Sequence, residues 1–145
     1  MFKHTFLSIK SDYIRIYTGY RTESWMVIHS EPIYVLSWDS SNEKIKECFI
    51  DSFKKSKEID ENEEKDFNLG NDLLKRLKEK SWKSSYNALT CQLRYNGSNY
   101  NLYFTKYDSK SNSSPIVKEE KLSINTINEI DINKMISTLK SLRDT

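Results

Sequence analysis

Apolar and polar side chains alternate over Tyr13-Ile14-Arg15-Ile16-Tyr17-Thr18, and that period of two suits a strand with two unlike faces. Phe2 to Ile9 and Tyr13 to Tyr20 therefore read as an N-terminal hairpin turning at Lys10-Ser11-Asp12. Trp25 to His29 reads as the next strand. Pro32 has no amide proton to donate, so it marks a strand edge or a bend, after which Ile33 to Trp38 resumes as a strand. Ser40 and Glu43 have the spacing of a capping box. Ile45, Cys48, Phe49 and Phe53 follow at helical spacing, an apolar stripe along a helix from Glu43 to about Ser56.

Periodicity stops between Lys57 and Asn68, and this segment, 57–68, reads as an inter-helix loop. A helix is expected over Asp72 to Lys80, capped by Asn71, with Leu73, Leu74 and Leu77 on one face. Ser81-Trp82 opens a further helical turn that tucks Trp82 and Tyr86 inward. Ala88 to Tyr95 and Tyr100 to Tyr107 flank Asn96-Gly97-Ser98-Asn99. Asn-Gly is a strong hairpin signal, because both residues tolerate positive φ. Residues 108–115 form a polar loop closed by Pro115, with short strands expected at Ile116-Val117 and Leu122-Ser123-Ile124. Ile132, Met135, Ile136, Leu139 and Leu142 place a C-terminal helix over roughly Asn128 to Leu142. The order of elements predicts an α+β fold, an antiparallel sheet of about five to seven strands packed against helices.

A length of 145 residues fits a single domain with a real core. The net charge of +2 hides an asymmetry: Lys57 to Asp66 holds two lysines against six carboxylates, a net of −4, so the remainder carries +6. Gly19, Gly70 and Gly97 are the only glycines and Ala88 the only alanine. That scarcity argues against glycine-rich phosphate loops and tightly packed parallel α/β architecture. No apolar run is long enough to cross a bilayer, and Met1-Phe2-Lys3-His4-Thr5 lacks the apolar core of a secretory signal. A soluble cytoplasmic protein is expected. Cys48 on the helix stripe and Cys91 in a predicted strand read as small buried hydrophobes rather than a disulfide.

Acid–base catalysis needs groups brought together with tuned pKa values. His4 and His29 lie on separate predicted strands with no Cys, Asp or Glu at ligand spacing, and they read as strand-face histidines. Neither cysteine has a nucleophile signature. No catalytic residue, metal or cofactor is therefore assigned, and the chain reads as a non-enzyme. The acidic run has two readings: a solvated linker, or a docking surface whose carboxylates steer a basic partner. Tyr100, Tyr103 and Tyr107, with Arg15 and Arg94, raise an alternative, a small single-stranded nucleic-acid-binding domain that stacks bases on its sheet. No glycine-aromatic motif of the kind that binds RNA on a sheet supports it, and sheet tyrosines commonly pack across strands.

The order of pieces resembles the immunity proteins of bacterial contact-dependent growth inhibition systems, the CdiI type. The resemblance rests on Tyr13-Ile14-Arg15-Ile16, on Glu31-Pro32-Ile33-Tyr34-Val35-Leu36 leading into the first helix, and on Ser56-Lys57 after it. Lys80-Ser81-Trp82-Lys83 and a closing helix with Leu139 and Leu142 extend it over most of the chain. The chain departs from the family pattern at Arg21-Thr22-Glu23-Ser24-Trp25 and in its more acidic linker. The resemblance implies a cytoplasmic protein that binds and neutralises the C-terminal toxin domain of a CdiA-type exported effector. Many such toxins are nucleases with basic active sites. Glu58, Asp60, Glu61, Glu63, Glu64 and Asp66 would then face that cleft, with Phe67 beside them as an aromatic anchor.

Overall fold

The computed structural model describes residues 1–10, 13–64, 75–76 and 88–144. A sheet of seven strands runs β1 (Lys3–Ile9), β2 (Tyr13–Arg21), β3 (Val27–Ser37), β4 (Lys57–Glu58), β5 (Leu89–Tyr95), β6 (Tyr100–Thr105) and β7 (Ile116–Leu122). Helix α1 (Asn42–Lys55) follows β3, the single turn α2 (Glu61–Glu64) follows β4, and α3 (Ile132–Arg143) closes the described chain. The strands are ordered β3-β2-β1-β5-β6-β7, with β4 paired to β2. Every pairing is antiparallel except β2 with β4. This is the expected α+β fold.

Both predicted hairpins form. Lys10 and Tyr13 exchange backbone hydrogen bonds of 3.0 and 3.3 Å at the first; Ser11 and Asp12 lie outside the described residues. In the second, Tyr95 faces Tyr100 and Gly97 takes a φ of +97°. Asn96 contributes differently from the expected positive φ. Its side-chain oxygen accepts from the Ser98 and Asn99 amides at 2.9 and 2.8 Å, holding a four-residue loop by local side-chain bonding.

Several expectations are corrected. The runs on either side of Pro32 are one strand, β3, because the register with β2 jumps from Tyr17–Ile33 to Thr18–Ser30 and leaves Glu31 and Pro32 looped out. Pro32 thus occupies a bulge, where no ladder amide is required. The carbonyls exposed there are taken up by hydroxyls: Thr18 Oγ1 donates to Pro32 O and Tyr20 Oη to Glu31 O, each at 2.9 Å. Trp25 and Met26 belong to a turn rather than a strand. The α1 cap is Ser41, not Ser40, its Oγ accepting from the Lys44 amide at 3.2 Å. The short strand expected at Ile116-Val117 runs on through a charged stretch as β7, carried by pairing with β6, and it ends at Leu122, so Ser123 and Ile124 form no strand. The expected helix over Asp72 to Lys80 is helical at Lys75 and Arg76. Asn71, Leu73, Leu74, Leu77, Trp82 and Tyr86 lie outside the described residues.

Helices α1 and α3 cover one face of the sheet. Ile45, Cys48, Phe49 and Phe53 from α1 and Met135, Ile136 and Leu139 from α3 are buried, as their spacing predicts. They meet Leu7, Ile9, Ile14, Ile16, Leu93, Leu102 and Phe104 from the strands. Ser52 sits inside this stripe, fully buried, with its Oγ 2.5 Å from Thr5 Oγ1 and 2.8 Å from Thr18 Oγ1. These hydroxyls satisfy one another, as buried polar groups must. On the opposite face Phe6 and Tyr17 stack with centroids 4.8 Å apart, and Val27 and Ile33 pack against them. Both cysteines are buried and free, and burial raises the pKa of each thiol.

Candidate binding surface

The acidic segment begins where α1 ends, and that junction is pinned. Ser56 Oγ donates to Gly19 O at 2.5 Å and accepts from the His4 amide at 2.8 Å. Lys3 Nζ donates to the carbonyls of Lys54 and Ser56 at 2.9 and 3.0 Å, placing a cation at the helix C-terminus. The chain then enters β4, which pairs parallel to β2 with Lys57 opposite Tyr20 and Glu58 opposite Arg21. It lies on the edge of β2 that β1 leaves open beyond His4. The Ile59 amide donates to Arg21 O at 2.8 Å, and the Ile59 side chain is buried. Asp60 Oδ1 accepts from the Glu63 amide at 2.8 Å and starts α2.

The expected structureless linker is therefore anchored over its first half, because β2 offers an unpaired edge and Ile59 a buried side chain. Glu58, Asp60 and Glu61 are exposed, and Glu63 is half-buried with Oε2 3.6 Å from Lys57 Nζ. The structure brings these four carboxylates together on one short, fixed segment. Glu64 completes the turn with its backbone; Asp66 and Phe67 lie outside the described residues. Sequence reasoning missed the aromatic side chains beside this segment. Arg21, opposite Glu58, places its guanidinium over the rings of Phe2 and Trp25, and Trp25 is 68% exposed. The polar run Thr22-Glu23-Ser24 before Trp25 is the sequence signal for a turn there.

Both histidines are packed on the sheet face away from α1 and α3. His4 and His29 lie on either side of Gly19, on β1 and β3. The row is tight: a Cβ on Gly19 would come within 2.8 Å of His4 Cβ and of Val27 Cγ1. His4 is 1% exposed, with Nδ1 3.1 Å from Gln92 Nε2. The His29 ring lies 4.8 Å from both Phe6 and Tyr17. Burial pulls the pKa of each down to about 4, with Arg21 and Arg94 adding repulsion at His4. Both are neutral, packed side chains at pH 7. Among the described residues no group of three or more His, Cys, Asp or Glu is placed to hold a metal.

The base-stacking platform does not assemble either. Tyr100 and Tyr103 project from opposite faces of β6; Tyr100 is buried against Phe53 and Tyr95, whereas Tyr103 carries Arg94 over its ring. Tyr107 lies past the strand and bonds Asn112, and Arg15 is 2% exposed. Among the described residues no helix is long and apolar enough to cross a membrane.

No family model and no curated protein matches the chain by sequence. Solved structures do match its fold. A protein of unknown function from Neisseria meningitidis aligns with a TM-score of 0.67 and 14% identity, covering 98% of this chain and 95% of that one. A chain of the CdiA-CT/CdiI toxin and immunity complex from Yersinia pseudotuberculosis aligns with a TM-score of 0.65 and 14% identity, covering 97% of each. At that identity the likeness establishes a shared fold from end to end.

Proposed function

We propose that this protein is a non-enzymatic immunity protein that binds and neutralises the C-terminal toxin domain of a CdiA-type effector in the cytoplasm of the producing cell. The observation that carries the reading is the end-to-end fold match with a chain of a toxin and immunity complex. Two features of the molecule support it. His4 is buried and His29 is packed half-buried against Phe6 and Tyr17, and the carboxylates of Glu58, Asp60, Glu61 and Glu63 are gathered on an anchored segment. A surface of this sign fits a basic cleft such as that of a nuclease, which it would occupy in place of phosphate.

This reading expects the gene immediately upstream to encode the end of a large exported effector, and the experiment follows binding to that effector's C-terminal domain. Glu58, Glu61 and Glu63 are the positions to change to Gln; Asp60 is kept because its carboxylate starts α2. The triple variant should associate about tenfold more slowly at low salt, with a flatter salt dependence. Its unfolding midpoint should barely move, since exposed charges contribute little to stability. Wild-type protein that forms no complex with the domain would sink the immunity reading. Equal association rates for wild type and variant would return the acidic segment to a solvated linker and move the docking surface elsewhere.

A further inference from the structure

We propose that the turn carrying Trp25 is the apolar anchor of the toxin-binding surface and that it seats in a pocket rimmed by Lys or Arg on the toxin; this rests on the immunity reading. Trp25 and Met26 are 68% and 60% exposed, an unusual outlay of large apolar surface in adjacent positions. The turn beneath them is firmly built. The Thr22 amide donates to Met26 O at 2.8 Å and the Trp25 amide to Thr22 O at 3.0 Å, and Thr22 Oγ1 accepts from the Met26 amide at 3.2 Å. Phe2 and Trp25 meet edge to face with centroids 5.7 Å apart, and Arg21 lies over both rings, its guanidinium carbon 3.8 Å from the Phe2 centroid and 4.4 Å from that of Trp25. The indole is thus held in place before any partner arrives, which lowers the entropic cost of docking. Trp and Arg are the residue types that most often dominate interface energetics.

Charge selects the occupant. Glu23 is exposed within the turn itself, and Glu58, Asp60 and Glu61 are exposed on the segment that β2–β4 pairing fixes to Arg21. These four carboxylates outnumber the two cations on the same segments, Arg21 and Lys57, and that balance disfavours nucleic-acid phosphates and anionic lipid headgroups and favours a protein surface with lysines and arginines. The apolar knuckle and the acidic segment are continuous through Arg21, so a single cationic cleft with an apolar floor would engage both.

The backbone supplies a discriminating variant. Trp25 has a φ of +68°, the left-handed region where a bulky side chain is disfavoured and Asn is readily accepted. Trp25→Asn should therefore leave the melting temperature unchanged or raise it, while binding to the upstream-encoded domain weakens at least about 30-fold. In the wild-type complex, amide hydrogen exchange at Thr22 to Met26 should slow on binding. Unchanged affinity in Trp25→Asn, against a wild type that binds, would overturn the anchor and leave the immunity reading standing. Loss of stability along with affinity, with no slowing of exchange in the wild-type complex, would make Trp25 a packing residue and overturn it too. A self-dimer abolished by Trp25→Asn without loss of toxin binding would assign the turn to a second copy of the chain. A wild type that binds no toxin would bring down both readings.

Discussion

Phe49→Ala is expected to destabilise the protein by about 3–5 kcal/mol. Phe49 is 0% exposed on α1, inside the cluster that joins both helices to the sheet. Removing the ring takes away its transfer free energy and leaves a cavity that the strands, fixed by their ladders, cannot close. The neighbouring packing tells the same story, since Ile45 and Leu139 are as deeply buried. The loss should also reach the acidic segment, because α1 leads through Ser56 into β4. Denaturant unfolding reads the outcome directly: a midpoint near that of the wild type would mean that α1 is only loosely docked.

Acidification should produce the second large effect. His4 and His29 have pKa values pulled from 6.5 down to about 4, by burial first and at His4 by Arg21 and Arg94 as well. In the unfolded chain both would titrate near the ordinary value, so between these limits the unfolded state binds more protons than the native one. Stability is then complete above about pH 6.5 and falls as pH drops toward 4, by up to about 3 kcal/mol per histidine. His4→Gln combined with His29→Gln should flatten this slope while leaving toxin binding intact, provided the variant folds. An unfolding free energy that does not change across the window would show that the imidazoles are solvated. A double variant that folds but no longer binds the toxin would assign a histidine to the interface.

The elements with strong local patterns were the legible ones. Tyr13 to Tyr20, the Asn96-Gly97 hairpin and the stripes of α1 and α3 depend on periodicity and turn chemistry within a few residues. The rest depends on partners distant in sequence. Pro32 stops no strand, because β2 supplies Thr18 and Tyr20 hydroxyls to the bulge it occupies. Lys57-Glu58 has no strand pattern and pairs only because the end of β2 is open beside it. Of the candidate site, the charge of Glu58 to Glu64 was visible as composition. Its attachment to Arg21, and the exposed ring of Trp25 beside it, came only with the fold.

Growth of cells producing the upstream-encoded C-terminal domain, with and without this protein, tests the central claim most directly. The domain alone should arrest growth, and co-production of this protein should restore it to the rate of cells carrying neither. Arrest that persists with the protein folded and abundant in the same cells would contradict that claim.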